Sequence, residues 1–234
     1  LLVEHRLRQV IDRGGLTLHY QPQMSLASGE LVGVEALVRW IDPELGAVAP
    51  GRFIGVAEES GLIVPLSQWV LRAACRAVRV WQARGLPALP VAVNISALQF
   101  ARPDFPSVVA AALAEAELEP RWLELELTES ILMSEADHVL DTLRALKRLG
   151  VRLTMDDFGT GYSSLSYLRR LSLDTLKIDR SFVGELGRDG DGDASAVVQA
   201  IIALAKGLRL TTLAEGVETA EQRELLRAYG CDGI

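Results

Sequence analysis

Eight short apolar segments recur along the chain, most of them separated by helical patterns, and this alternation restricts the fold more than any other feature. They span 16–24, 32–40, 90–96, 122–130, 151–155, 174–183, 209–217 and 231–234. Period-two alternation reads as strand: Leu123, Leu125 and Leu127 alternate with Glu124, Glu126 and Thr128, and Val151, Leu153 and Met155 with Arg152 and Thr154. Helical patterns over 50–60, 67–84, 104–117, 163–170 and 194–206, with others opening at Ser134 and Thr219, fill the intervals. Ser134 with Asp137, and Thr219 with Gln222, form capping-box patterns. Strand–helix units with short connections call for a mostly parallel sheet. About eight of them allow closure into a TIM-like (β/α)8 barrel. Only a Ser28-Gly29 turn joins the first two strands, so a hairpin is expected there, a departure from the regular barrel. An open doubly wound sheet is the alternative, but no G-x-G-x-x-G follows the first strands.

The 234 residues, 49% hydrophobic and 24% charged, are ordinary values for a globular protein, and the length suits one barrel. No run of eighteen uncharged apolar residues is present, so no membrane span is expected. The N-terminus, LLVEHRLRQV, lacks the apolar stretch of a signal peptide and reads as the inside of a helix. A cytoplasmic location is expected, with any membrane anchor of a full-length protein lying in other regions. Cys75 and Cys231 have no CxxC spacing, which argues against a disulfide framework or a thiolate zinc site. His5, His19 and His138 are too scattered to pair on a metal. A net charge of −7 argues against DNA binding through a basic surface, but permits a small phosphate ligand held through metal ions.

The chemistry-bearing residues sit at strand ends. Asp156 and Asp157 close the fifth strand, followed by Phe158, a Gly-containing loop and Ser163, a candidate helix N-cap. Two unit charges ~4 Å apart repel by roughly 4 kcal/mol at an effective dielectric of about 20, so a cation is expected beside them. An ordinary βα turn with its acids pointing apart is the alternative. A kinase DFG is excluded, since no Gly-rich nucleotide loop or H-R-D-x-x-x-x-N segment occurs. Glu35 and Arg39 interrupt an apolar strand; burying either alone is costly, so they are paired with each other or functional. Glu35, Asn94, Glu126, Asp156, Asp157, Lys177, Asp179 and Glu215 all fall at or near the C-terminal ends of successive strands. In a barrel those ends share the rim where catalysis is found. So many acids with one lysine call for hard divalent cations, Mg²⁺ or Mn²⁺. Two such ions ~3.5–4 Å apart are a standard clamp for phosphodiester hydrolysis.

EALVRW from Glu35, the Asn of VNIS, ELTES, DDFGTGYSSL, LKIDRSFV and AEGVE occur in that order, and together they resemble the EAL domain family over essentially the whole chain. That family comprises bacterial phosphodiesterases that hydrolyse cyclic di-GMP to linear pGpG. The resemblance implies one EAL-type domain over 1–234, a TIM-like barrel with an antiparallel first strand, and in-line attack by a metal-activated water. It implies that Glu35, Asn94, Glu126 and Asp156 hold a first metal, and that Asp156 bridges to a second held also by Asp157. Lys177 and Glu215 would lie around the attacking water, with Glu215 the general base, while Glu129 would brace the loop after Asp157. Gln21, Arg39, Asp179 and Glu218 would help hold the substrate. Ca²⁺ would bind there but inhibit. A homodimer and an upstream sensor or GGDEF-type domain are the partners such a resemblance implies.

Two departures from the family pattern stand out. Gly55 occupies a position where the family usually has Pro, which loosens a helix start. Ile234 is the last residue, where the family continues with a Gln-Gly-Tyr segment whose Gln contributes to the active site. The C-terminal end of the domain is therefore expected to be missing and the last strand truncated, leaving an open seam. Two rival functions are weighed: a weakly active or inactive cyclic di-GMP receptor, and another barrel enzyme using Lys177 as a base with one metal.

Overall fold

The computed structural model describes residues 2–133, 137–159, 168–187 and 192–234. After a first helix, Leu2–Arg13, β1 (Leu16–Met24) and β2 (Leu31–Asp42) form the expected hairpin, with Leu16 opposite Trp40 and Gln21 opposite Glu35. A short β3 (Gly46–Val48) folds back on the end of β2; three residues leave no readable period in the sequence. Next come β4 (Val91–Asn94), β5 (Leu123–Thr128), β6 (Arg152–Phe158), β7 (Thr175–Ile178) and β8 (Thr211–Ala214). From β2 through β4 to β8 each is parallel to its neighbour, in chain order.

The seam between β8 and β1 is closed, which corrects the open edge expected of a truncated final strand. Gly233 bridges to Leu213 on one side and to Ser25 on the other. Met24 N donates to Ile234 O at 2.8 Å and Ile234 N returns a bond to Met24 O at 2.9 Å, while Ala214 N donates to Gly233 O at 2.9 Å. Asp232 Oδ2 accepts from both Thr212 N and Thr212 Oγ1 at 2.8 Å. A few residues suffice because closing an edge requires only that N–H and C=O groups find partners on both flanks. Gly233 fits there for lack of a side chain: a Cβ would stand 3.0 Å from Leu213 Cδ1 and from Met24 O.

The helices wrap the outside. Pro50–Ser60 starts on a first-turn proline and stops at Gly61, whose φ of 74° closes the cap. The next helix, Ile63–Ala83, begins earlier than the periodicity indicated. Pro65 falls in its first turn, where no amide donor is needed. The capping box at Thr219 and Gln222 opens helix Ala220–Tyr229. The capping pattern at Ser134, the helix opening at Ser163 and residues 188–191 lie outside the described residues. Among the described residues, no helix is long and apolar enough to cross a membrane.

Alternation along the strands divides the core. Leu123, Leu125, Leu127, Leu153 and Leu176 are fully buried in the cluster under the helices. A second cluster, with Leu7, Leu16, Trp40 and Phe53, packs the first helix and helix Pro50–Ser60 over the hairpin. The intervening strand residues belong to the barrel interior, and there the polar groups gather.

Candidate active site

Parallel strands in register send paired residues to the same face. Asn94 thus lies beside Glu126, and Thr128 beside Asp156. Lys177, from β7, places its Nζ at the centre of the interior acids. It stands 2.6 Å from Glu215 Oε1, 3.0 Å from Glu126 Oε2, 3.4 Å from Asp156 Oδ1 and 3.6 Å from Glu35 Oε2. The lysine is 1% exposed. Burial disfavours its charge, but the surrounding carboxylates prevail and raise its pKa above the usual lysine value.

One ammonium does not balance this group. Glu126 is 1% exposed, and among the described residues its oxygens have the Lys177 ammonium, 3.0 Å from Oε2, as their charged partner and no well-directed hydrogen bond besides. Burial first, then the charges of Glu35 and Asp156, push its carboxyl well above the usual range against the opposing pull of Lys177. Glu215 is raised by burial and by Asp156 and Glu35, again against Lys177. Asp157 is raised by burial and by the charges of Asp156 and Asp179. Asp156, Asp157 and Glu215 bring carboxylate oxygens within 4.8 Å of one another. Hard carboxylate oxygens that share a single ammonium among the described residues, in a group with excess negative charge, form a donor set suited to divalent cations.

A regular strand would send Asp156 and Asp157 to opposite faces. Asp157 instead adopts φ 56°, and the β6–β7 pairing bulges between Met155 and Phe158. Asp tolerates this left-handed conformation better than most residues. Its amide donates to Asp156 Oδ1 at 2.9 Å, so the turn keeps both acids in one group. Glu129, buried at the start of the short helix Glu129–Leu132, accepts a hydrogen bond from Gly159 N at 2.9 Å. The alternative of a Glu35–Arg39 pair does not hold. Glu35 Oε1 accepts from Asn94 Nδ2 at 2.7 Å, and Arg39 Nη1 donates to Val38 O at 2.9 Å. Asp179 accepts from Ser181 N at 3.0 Å as the cap of helix Arg180–Val183. Burial opposes its charge, but the hydrogen bonds from Ser181 and the Arg180 amide hold its carboxyl below the usual range.

Three clefts meet this group or adjoin it. One of about 490 Å³ has Glu35, Lys177, Glu215, Gln21 and Arg180 in its walls. A more apolar one of about 410 Å³ contains Asn94 and Arg39. A third, of about 470 Å³, shares Arg180 and Gly216 with the first and holds Glu218. Glu218 is therefore one cleft removed from the carboxylates around Lys177. Two residues in or near the site carried no assignment from sequence. Glu124, below Glu126 on β5, accepts a hydrogen bond from Thr154 Oγ1, and burial raises its carboxyl. Its position on the inward face of β5 was the available signal. Arg180 follows Asp179 directly within LKIDRSFV, a motif from which only the lysine and the acid were used.

The model of the EAL domain matches residues 4–234. The chain belongs to the EAL domain family. This EAL domain is 48% identical over 230 residues to the bifunctional diguanylate cyclase/cyclic di-GMP phosphodiesterase MucR of Pseudomonas aeruginosa, spanning 98% of the chain and 33% of that relative. It is 48% identical over 235 residues to the cyclic di-GMP phosphodiesterase NbdA of the same organism, spanning 99% of the chain and 29% of the relative. It thus spans about a third of the length of these curated relatives. Among solved structures it is similar to the PaMucR phosphodiesterase in complex with c-di-GMP, with a TM-score of 0.95 and 48% identity, covering 100% of this chain and 94% of that one. The barrel and its antiparallel first strand are those the sequence led us to expect.

Proposed function

We propose that this EAL domain hydrolyses cyclic di-GMP to linear pGpG with the aid of divalent cations. The observation that carries the reading is Glu126: a buried carboxylate whose cationic partner among the described residues is the Lys177 ammonium, which it shares with Glu35, Asp156 and Glu215. Similarity to relatives named as cyclic di-GMP phosphodiesterases supports the substrate. Glu35, Asn94, Glu126 and Asp156 would hold one ion and Asp156 with Asp157 a second, Mg²⁺ or Mn²⁺ by the hardness of the donors. Such ions lower the pKa of an attacking water and neutralise charge on the oxygens of an in-line displacement.

The chain's own residues do the rest. Glu215, at the mouth and beside Lys177, is the base that accepts a proton from the attacking water. Lys177 holds Glu215 in place and balances part of the acid charge. Glu129 fixes the backbone after Asp157 through Gly159 N. Gln21 and Arg39, in the walls of separate clefts, and Asp179 and Glu218 beyond them contact the dinucleotide. We further propose a cytoplasmic homodimer in which an upstream sensor or GGDEF-type domain sets the activity; the greater length of the relatives supports the further domain. Chromatography of cyclic di-GMP incubated with the protein and Mg²⁺ or Mn²⁺ tests the activity. Conversion to pGpG is expected, with none in Ca²⁺; tight binding without turnover would make the domain a receptor instead.

A further inference from the structure

We infer that Arg180 binds the phosphate of the cyclic dinucleotide that is not under attack, where the two neighbouring clefts join; this rests on the phosphodiesterase reading. A cyclic dinucleotide carries two phosphodiesters, and cations held by the carboxylates can neutralise only the one that reacts. The other must be held among acidic walls by a positive group of the protein. Lys177 and Arg180 are the cations among the described residues lining these two clefts, while Arg39 stands in the wall of the third, with its Nη1 bonded to Val38 O. Lys177 is committed to Glu35, Glu126, Asp156 and Glu215 and is buried among them. Arg180 is exposed, and among the described residues its guanidinium makes no ion pair within 4.0 Å and no side-chain hydrogen bond, its charge acting on the neighbouring Asp179 only from farther off.

The fold fixes this arginine at the mouth. Gly216, immediately after Glu215, has φ 69°, and a Cβ there would lie 2.6 Å from Arg180 Cβ and 3.3 Å from its Cα. A residue with a side chain could not come this close, so the stem of Arg180 is set against the backbone next to Glu215. Its planar fork is suited to two phosphate oxygens at once, which an ammonium does not match. An arginine placed for solubility alone would gain nothing from so close a backbone contact beside the active carboxylates.

The test compares wild type, Arg180→Ala and Arg180→Lys. Equilibrium binding of cyclic di-GMP is measured in Ca²⁺ and steady-state kinetics in Mg²⁺. A third probe is an analogue with one phosphodiester replaced by a neutral methylphosphonate. Arg180→Ala is expected to raise Kd and KM about tenfold with kcat within about twofold, the scale of one charge-assisted contact. Arg180→Lys is expected to recover part of the loss. The analogue is expected to bind wild type more weakly than the natural ligand does, and to bind Arg180→Ala as well as the natural ligand does. Equal affinity of wild type and Arg180→Ala for cyclic di-GMP overturns the inference and leaves the phosphodiesterase reading standing. A fall in kcat and melting temperature at unchanged Kd also overturns it, since Arg180 would then be a brace. A wild type that binds no cyclic di-GMP overturns both.

Discussion

Lys177 carries more electrostatic load than any other side chain in the interior, and its removal separates folding from chemistry. Lys177→Met preserves the aliphatic stem and leaves Glu126 and its neighbours without their cation. Removing one partner of a buried charge group costs roughly 3–5 kcal/mol. Urea unfolding in EDTA should show a loss of this order, partly recovered when Mn²⁺ is added; equal stability in EDTA would mean the acids do not depend on the lysine. Glu126 gives a second prediction at this scale. Its folded-state pKa is raised, so its contribution to stability is full below the unfolded carboxylate value and is lost as pH rises through the folded value. In EDTA, Glu126→Gln should therefore be more stable than wild type at pH 8, by a margin that shrinks toward pH 5. A margin independent of pH would refute the raised carboxyl. The identities of these residues were legible as polar interruptions at strand ends. Their arrangement around one ammonium was not, because strand periodicity gives the face of a residue and says nothing of which neighbour its side-chain tip meets.

At the level of elements, the end of β6 is where the backbone departs most from regularity. Asp157 at φ 56° and Gly159 at φ 99° both take left-handed conformations, and Gly159 N supplies the hydrogen bond to Glu129. A Cβ at Gly159 would lie 2.8 Å from Phe182 Cε2. Gly159→Ala therefore meets both a strained φ and a ring, and should lower the melting temperature by several degrees, the equivalent of about 1–2 kcal/mol in a domain of this size. Turnover of cyclic di-GMP should fall further than stability does, since the same turn sets Asp157; a variant with wild-type kcat would show that the turn has slack. The strand itself was legible in its alternation, and Asp156-Asp157 as a tip. The bulge was not, because one extra residue in a ladder leaves no period of its own. The start of helix Ile63–Ala83 lay before the expected 67, with Pro65 in its first turn, and β3 was too short to detect.

The whole barrel depends on a seam whose closure was not legible in the last few residues of the chain. Residues 232–234 fill the gap between β8 and β1, and the Asp232 carboxylate ties that segment to Thr212 twice. The same segment bears on the site. Ala214 N is bonded to Gly233 O, and the next residue, Glu215, bonds through its own amide to Ile178 O at 3.1 Å. Glu215 is thus held between the seam and β7, within reach of Lys177. Asp232→Ala removes the acceptor for Thr212 N and Oγ1, and hydrogen bonds to a charged acceptor contribute about 1.5–3 kcal/mol when sheltered. Because Asp232 is itself exposed, a loss near the lower end is expected. Hydrogen exchange should accelerate first at the amides of Met24, Ala214 and Ile234, which cross the seam, while β5 and β6 remain protected. Activity should decline with that local opening, because Glu215 loses one of its two flanking supports. Uniform acceleration across all strands would mean that the seam opens only with the barrel as a whole, and unchanged exchange would mean that the backbone ladder holds it without Asp232.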